Sequence, residues 1–199
     1  MQKLAQLKLD DMIQFSRLIL RFQDVIRVVD LPRGEAREND VEHSYHLAMM
    51  AWYLNSSGEL GLDVDKVIRY ALVHDLPEAY AGDVNAFDAE GRRGKEQREA
   101  DAMARIEREF PFGKDITQAV YDYEARSDEE SRYVYALDKL MPMLMIYLEG
   151  GQTWRADGLD LQQIHENKLD KVALSEPIND LYLQLKAILD DQPQLFETN

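Results

Sequence analysis

The stretch LVHDLPEAYAGDV combines histidine and carboxylate side chains in a pattern suited to metal chemistry. His74 stands directly beside Asp75 at the end of an apolar run, and Glu78 and Asp83 follow shortly after. The whole chain has only 4 histidines, so one placed among so many acids requires an explanation. An imidazole nitrogen beside a carboxylate oxygen is a ligand pair that divalent metal ions accept. We therefore predict a metal here, with the later acids handling water and substrate.

Two further residues could complete the metal site. His43 lies one turn into a predicted helix, and Asp138 interrupts the apolar run YVYALDKLMPMLMIY. A carboxylate buried in such a run without a partner would be costly. Imidazole and carboxylate ligands together suit Mn, Fe, Co or Zn better than Ca. Two His and two Asp would leave coordination positions open for water and substrate oxygen, as in a catalytic metal site.

Each of these residues also has an ordinary structural explanation. A single histidine on an apolar helix is more often a hydrogen-bonded core residue than a ligand, and His46 fits that description. Asp138 could pair with Arg132 or Lys139, and Asp75 could cap a helix or a loop. The metal hypothesis therefore depends on these side chains meeting at one point.

Composition restricts the possible partners and compartments. The chain has 199 residues and no cysteine, which excludes thiolate metal ligands and disulfides. The formal charge of −15 disfavours nucleic-acid polymers, which need basic surface, but allows a small anionic ligand in a locally positive cleft. We find no signal peptide and no apolar run long enough to span a membrane, so we expect a cytoplasmic protein without membrane association.

Apolar spacing predicts helices in the first third of the chain. One helix is predicted over residues 9–29, and the polar loop LPRGEAREND follows it. Asn39 can cap the next helix, and Glu42 three residues later resembles the second half of a capping box. Asp63 or Asp65 begins another helix, which ends near the His-Asp pair.

The rest of the chain continues as helices. They are predicted over residues 95–109, 114–124 and 129–149, with one or two more at the C-terminal end. EGGQTWRADGLD is the best candidate for a flexible insertion. The Met-rich stretch MPMLMIYLEG is explained equally well by core packing and by a dimer face. No alternating strand pattern of useful length occurs, so we predict one all-α domain over residues 1–192 with a flexible tail at 193–199.

The order of the candidate ligands resembles the HD superfamily of metal-dependent phosphohydrolases. The phrases EHSYHLAMMAWYL, HDLPEAYAGDV and ALDKL carry the resemblance, which covers roughly residues 10–150. It is closest to bacterial 5′-deoxynucleotidases of the YfbR type and to small phage deoxynucleotide hydrolases. The resemblance implies an HD-domain helical bundle, commonly a homodimer, that binds one divalent metal ion (Co, Mn, Zn, Fe or Ni).

The resemblance also implies roles for individual residues. The metal ligands would be His43, His74, Asp75 and Asp138. Glu78 matches the acid that orients or deprotonates the attacking water. Its alternative role is a helix-start carboxylate. Asp83 matches the acid that contacts the sugar near its 3′ and 2′ positions, or else it is a turn residue.

Several basic residues are candidates for holding phosphate. The resemblance implies an arginine upstream of the first histidine, and Arg27 is preferred over Arg33 and Arg37 because it is placed at the end of the first helix. The loop residues Arg92, Arg93 and Lys95 could cover an extended phosphate chain, and Lys139 lies beside a metal ligand. Ordinary surface charge is the alternative explanation for each of them.

These observations favour a metal-dependent hydrolase of 2′-deoxynucleotides. The leading hypothesis is a 5′-deoxynucleotidase, which releases phosphate from a deoxynucleoside monophosphate. A deoxynucleoside triphosphate triphosphohydrolase would share the metal site and use the GRRGK loop to hold the additional phosphates. The third hypothesis is a non-enzymatic acidic helical binding module, because a fold does not determine a function.

Overall fold

A computed structural model of the protein describes residues 8–30, 37–88, 90–111 and 113–196. These residues form a helical bundle, as predicted, with one small two-stranded sheet. The helices of the described part have the following bounds: α1 Leu9–Gln23, α2 Asp40–Ser57, α3 Val64–Val73, α4 Glu78–Ala81, α5 Lys95–Glu109, α6 Lys114–Ala125, α7 Glu129–Leu148, α8 Gln152–Ala156, α9 Leu161–Val172 and α10 Glu176–Asp190. None of these helices combines the length and apolar character needed to cross a membrane.

The first predicted helix is too long, because the chain changes to a β-hairpin after Gln23. Strand β1 (Ile26–Asp30) pairs antiparallel with strand β2 (Arg37–Asn39). The run of β-branched residues around β1 favours a strand, although the apolar spacing also fitted a helix. The predicted polar loop falls mostly on residues 31–36, which lie outside the described residues. The hairpin matters for function because it delivers Arg27 and Glu38 to the centre of the bundle.

Helix α7 is the central element of the core. It packs against α2, α3, α6, α9 and α10 and continues as one helix through Pro142. Met141, Met143 and Met145 are buried. The methionines of the Met-rich stretch therefore belong to the core.

The predicted insertion and part of the predicted tail are ordered elements. Within EGGQTWRADGLD, helix α8 buries Trp154, which is only 2% exposed. Residues Pro193–Leu195 form a 3-10 turn, and the Phe196 ring stacks on Trp154 with a centroid distance of 4.9 Å. Leu195 is also buried, so residues 193–196 pack against the bundle, and residues 197–199 of the predicted tail lie outside the described residues.

The predicted helix starts agree with the structure. The Asn39 side chain accepts hydrogen bonds from the first turn of α2, and the Glu42 carboxylate accepts one from the Asn39 backbone N–H at 3.2 Å, which completes the capping box. Asp63 caps α3. These caps satisfy backbone N–H groups that have no partner inside the helix.

Asp128 caps α7 and also joins it to α3. Its carboxylate accepts a hydrogen bond from the Ser131 N–H at 2.8 Å and one from the Tyr70 hydroxyl at 2.8 Å. Lys66 Nζ, also from α3, lies 3.2 Å away. Burial raises the pKa of Asp128, but the hydrogen bonds outweigh it and hold the pKa at about 2.

We expect Asp128→Ala to lower the free energy of unfolding at pH 7 by about 1 kcal/mol, the usual contribution of an N-cap. The melting temperature should fall by roughly 2–4 °C. Because the folded pKa of about 2 lies below the ordinary 3.8, the carboxylate stabilises the fold above about pH 4 and loses this effect as the pH falls. The difference between the wild type and Asp128→Ala should therefore shrink towards pH 2 in thermal melts. Asp128→Asn keeps an oxygen that can accept the cap hydrogen bond, so its melting temperature should fall less. Equal melting temperatures for the wild type and Asp128→Ala at pH 7 would contradict the prediction.

Candidate metal centre and cavity

The fold brings His43, His74, Asp75 and Asp138 together inside the bundle. Each residue offers one nitrogen or oxygen atom, and these four atoms lie within 4.8 Å of one another. His43 belongs to the first turn of α2 and Asp138 to the middle of α7. His43 Nε2 lies 3.0 Å from Asp138 Oδ1, although 95 positions separate the two residues in sequence. We call these four residues the metal cluster.

His74 and Asp75 converge because α3 ends immediately before them. Adjacent residues inside a helix point about 100° apart, but here the chain turns out of the helix. His74 Nδ1 donates to the Ala71 carbonyl at 2.9 Å, which directs Nε2 into the cluster. That nitrogen lies 2.9 Å from Asp75 Oδ2 and 3.6 Å from Asp138 Oδ1.

Glu38 of strand β2 orients the other imidazole. His43 Nδ1 donates to Glu38 Oε2 at 3.2 Å, and both side chains are buried. Burial raises the pKa of Glu38, but the hydrogen bond and charge of His43, together with Arg27, hold it below its usual value. A carboxylate on the outer nitrogen fixes the tautomer so that Nε2 presents its lone pair, as is typical of metal-binding histidines.

The chemistry of the cluster fits a divalent metal ion. His74 Nε2 is buried and makes no hydrogen bond of acceptable geometry, despite the short distance to Asp75. Burial lowers the pKa of His74, but Asp75 and Asp138 raise it to about 10, so the carboxylates favour positive charge at this point. Two imidazole nitrogens and two carboxylate oxygens suit a transition metal. The cluster could therefore hold a metal ion.

Arg27 borders the cluster from strand β1, and not from a helix end as the sequence suggested. Its Nη1 donates to Asp40 Oδ1 at 3.0 Å and to Asp75 Oδ2 at 2.9 Å, and its Nε lies 3.6 Å from Glu38 Oε2. Burial and the charge of Asp75 raise the pKa of Asp40 to about 7. Arg27 therefore joins the hairpin to the cluster through carboxylates of the protein itself.

Glu78, the first residue of α4, lies beside the cluster. Its Oε1 accepts from Lys95 Nζ at 3.1 Å, whereas its buried Oε2 has no hydrogen-bond partner among the described residues. Ligand atoms of Glu78, Asp40 and Asp75 lie within 4.8 Å of one another. Burial and the charge of Asp75 raise the pKa of Glu78 well above its usual value. A carboxyl group whose pKa is raised in this way holds a proton more readily than an exposed glutamate does.

A cavity of about 910 Å³ adjoins the metal cluster and Glu78. Its wall includes His74, Asp75, Asp138 and Glu78. This volume lies within the range of small-molecule binding sites. The cationic residues on its wall include Arg27, Arg92, Lys95, Lys139, Lys168 and Lys171. The acidic chain therefore has local positive charge where an anionic ligand could bind.

The predicted substrate-binding residues differ in where they lie. Asp83, Arg92 and Lys139 line the cavity. Lys95 also lines it, but its ammonium is already paired with carboxylates. Arg93 has an exposed side chain and is not among the residues that form the described cavity wall.

The sequence prediction missed four residues of this region: Glu38, Asp40, Lys168 and Lys171. The first two flank the helix start near Asn39 and resemble ordinary capping and loop acids in the sequence. Lys168 had a detectable signal, because it stands between Ile164 and Val172 at four-residue spacing on the buried face of α9. A lysine within an apolar stripe indicates either pairing or a function.

Comparisons with known proteins agree with this geometry. A family model described as HD domain matches residues 20–177. The human protein 5′-deoxynucleotidase HDDC2 is 32% identical over 131 residues, covering 64% of this chain and 63% of that protein. The 5′-deoxynucleotidase HDDC2 of Dictyostelium discoideum is 33% identical over 120 residues, covering 57% of this chain and 63% of that protein. The chain thus spans a little under two thirds of the curated relatives that it matches.

Two solved structures have a similar fold. A predicted metal-dependent phosphohydrolase from Magnetospirillum magnetotacticum MS-1 superposes with a TM-score of 0.81 at 27% identity, covering 98% of this chain and 97% of that one. A protein from Pyrococcus horikoshii OT3 superposes with a TM-score of 0.59 at 22% identity, covering 94% and 99% of the two chains. The second likeness supports the fold alone.

Proposed function

Because this chain belongs to the HD domain family, we propose that it is a metal-dependent phosphohydrolase acting on 2′-deoxynucleoside 5′-monophosphates. The single observation that carries the proposal is the convergence of two imidazole nitrogens and two carboxylate oxygens within 4.8 Å beside a cavity of nucleotide size. The similarity to proteins named 5′-deoxynucleotidase supports the choice of substrate. We also propose that residues 1–192 act as one domain.

In this proposal His43, His74, Asp75 and Asp138 hold one divalent metal ion, with Co, Mn, Zn, Fe and Ni as candidates. A bound metal ion would polarise the phosphate and lower the pKa of coordinated water. Glu38 keeps His43 in the tautomer that presents Nε2 to the cluster. Arg27 holds Asp75 in place by donating a hydrogen bond from Nη1 to its carboxylate.

Glu78 is proposed to manage the proton of the attacking water. Its unpaired Oε2 is buried beside the cavity, and its raised pKa brings proton transfer closer to neutral pH. Lys95 fixes the other oxygen of the carboxyl group, so that the side chain keeps one orientation.

Asp83 is proposed to contact the sugar of the substrate from the cavity wall. A carboxylate that hydrogen-bonds the 3′-hydroxyl in a space too small for a 2′-hydroxyl would favour deoxyribose. Sites built around buried polar partners can discriminate strongly between such substrates.

A substrate comparison tests the proposed function. The metal-loaded protein is assayed with matched deoxy- and ribonucleoside 5′-monophosphates and with deoxynucleoside triphosphates, and both phosphate and polyphosphate products are measured. We expect phosphate release from deoxynucleoside monophosphates at rates well above those of the ribonucleotides. Cleavage of triphosphates with no attack on monophosphates would favour a triphosphohydrolase, and the absence of both bound metal and turnover would favour a binding module.

We further propose a homodimer formed through the exposed face of α2. Four large apolar side chains stand on this face, and their exposed fractions are 65% for Tyr45, 45% for Met49, 48% for Trp52 and 64% for Tyr53. An exposed apolar patch of aromatic residues is typical of a contact surface.

Replacing Trp52 with Glu should convert the dimer to a monomer in sedimentation velocity experiments. Loss of a central interface tryptophan typically weakens association by roughly 30-fold or more. Leu183→Glu, at an exposed apolar site on α10, serves as the control and should leave the dimer intact. A wild type that sediments as a monomer at every concentration would defeat the dimer proposal.

A further inference from the structure

Lys168 is a buried cation that lacks a protein partner among the described residues. Its side chain lies on the buried face of α9, and the residue is only 7% exposed. No hydrogen bond or ion pair joins Lys168 Nζ to another described residue. Lysine is almost never fully buried unless it is paired. A negatively charged ligand at this position would compensate the charge of the Lys168 ammonium.

The position of Lys168 indicates where that group would bind. Lys168 lines the same cavity as the metal cluster, together with Lys139 and Lys171. Lys139 Nζ lies 2.5 Å from Asp138 Oδ2, so Lys139 contacts the cluster directly. Burial lowers the pKa of Lys168 to about 7, and repulsion from Lys139 adds to this effect. A bound anion would offset both the cost of burying the ammonium and its repulsion from Lys139.

Two of the other cavity cations are already compensated by carboxylates of the chain. Arg27 is surrounded by three carboxylates, and Lys95 pairs with Glu78 at 3.1 Å and with Glu99 at 3.3 Å. Within the part of the chain that the structure describes, Lys168 has no such partner. It is therefore the buried cation of the cavity that remains available to a ligand.

Building on the proposed phosphohydrolase function, we propose that Lys168 binds the phosphate group of the substrate, with Lys139 and Lys171 as flanking cations. A phosphate group suits this position because it carries up to two negative charges and several acceptor oxygens, so it can accept hydrogen bonds from more than one ammonium. Lys171 is less available to the phosphate than Lys168, because Lys171 Nζ also donates a hydrogen bond to Asn167 at 3.0 Å.

The test uses inorganic phosphate as the probe and the metal-loaded full chain as the protein. Titration calorimetry should show that Lys168→Met binds phosphate about 10- to 100-fold more weakly than the wild type, as expected for loss of a charge-assisted hydrogen bond. The KM for deoxynucleoside monophosphate should rise by a similar factor, while metal content stays unchanged. The melting temperature without phosphate should stay equal or rise, because an apolar side chain of similar length replaces an uncompensated buried charge.

Lys186→Met is the matched control, because Lys186 pairs with Asp190 on α10 and does not line the cavity. It should leave phosphate affinity unchanged. If Lys168→Met does not fold, Lys168→Gln replaces it, since the amide keeps polarity but removes the charge. Unchanged phosphate affinity and KM in the Lys168 variants would overturn the inference, even if the wild type hydrolyses deoxynucleotides. A wild type that binds phosphate through Lys168 but does not hydrolyse them would overturn the proposed function alone.

Discussion

Replacing Asp75 with Ala should remove both bound metal and turnover. Asp75 Oδ2 lies 2.9 Å from His74 Nε2, so the substitution removes one of the four converging donor atoms. We expect the metal content measured by mass spectrometry to fall from about one ion per chain to a small fraction of that value. Because metal-ion catalysis contributes several kcal/mol, kcat/KM should fall roughly 1000-fold or more.

The fold should survive this substitution, so the effect can be assigned to the site. Asp75 is partly exposed to the cavity, and Arg27 keeps Asp40 as a partner at 3.0 Å after Asp75 is removed. Asp180→Ala, at an exposed position of α10, is the control and should retain full metal content and activity. An Asp75→Ala protein with wild-type metal content and wild-type turnover would defeat the proposed metal site.

Replacing Glu78 with Gln should remove catalysis while leaving the metal in place. The amide keeps the size of the side chain, but it cannot accept the proton of the attacking water as a carboxylate does. General acid–base groups contribute about 10²- to 10⁴-fold, so kcat should fall by about that factor. The KM and the metal content should change little, because Glu78 lies next to the metal cluster and is not one of its four members.

Glu99→Gln tests whether loss of a partner for Lys95 is sufficient to explain the effect. Glu99 contacts Lys95 at 3.3 Å, from the same helix, whereas Glu78 contacts it at 3.1 Å from α4. We expect the Glu99 variant to retain nearly all activity. If the two variants lose kcat equally, Glu78 acts only by positioning Lys95, and the proton-transfer role is wrong.

Local information in the sequence was sufficient for most of the helices. Apolar residues repeated at helical spacing over long segments. The Asn39–Glu42 capping box appears in the structure where it was predicted, and of the two predicted helix starts, Asp63 and Asp65, the structure uses Asp63. Such features depend on residues within one turn of each other, so a reader of the sequence can recognise them. The family resemblance rested on equally local phrases around His43, the His-Asp pair and Asp138.

The errors in the predicted fold involve contacts between distant residues. Strand β1 is stable only when paired with β2, and its apolar spacing alone also fitted a helix. The glycine-rich segment before Trp154 looked flexible, but the ring is buried and stacks on Phe196 from the far end of the chain. At β1 the β-branched residues also favoured a strand, whereas at Trp154 packing against a distant residue overrode the local preference.

By itself, the sequence determined a helical chain that carries the HD family phrases and has the residue types for a divalent metal site. Only the tertiary structure decided which side chains meet. It joined His43 to Asp138 across 95 positions, placed Glu38 behind the imidazole, and buried Lys168 in the cavity wall. The physical reason is that helix propensity and capping act over a few residues, whereas a binding site is formed by distances and charges that exist only after the helices pack.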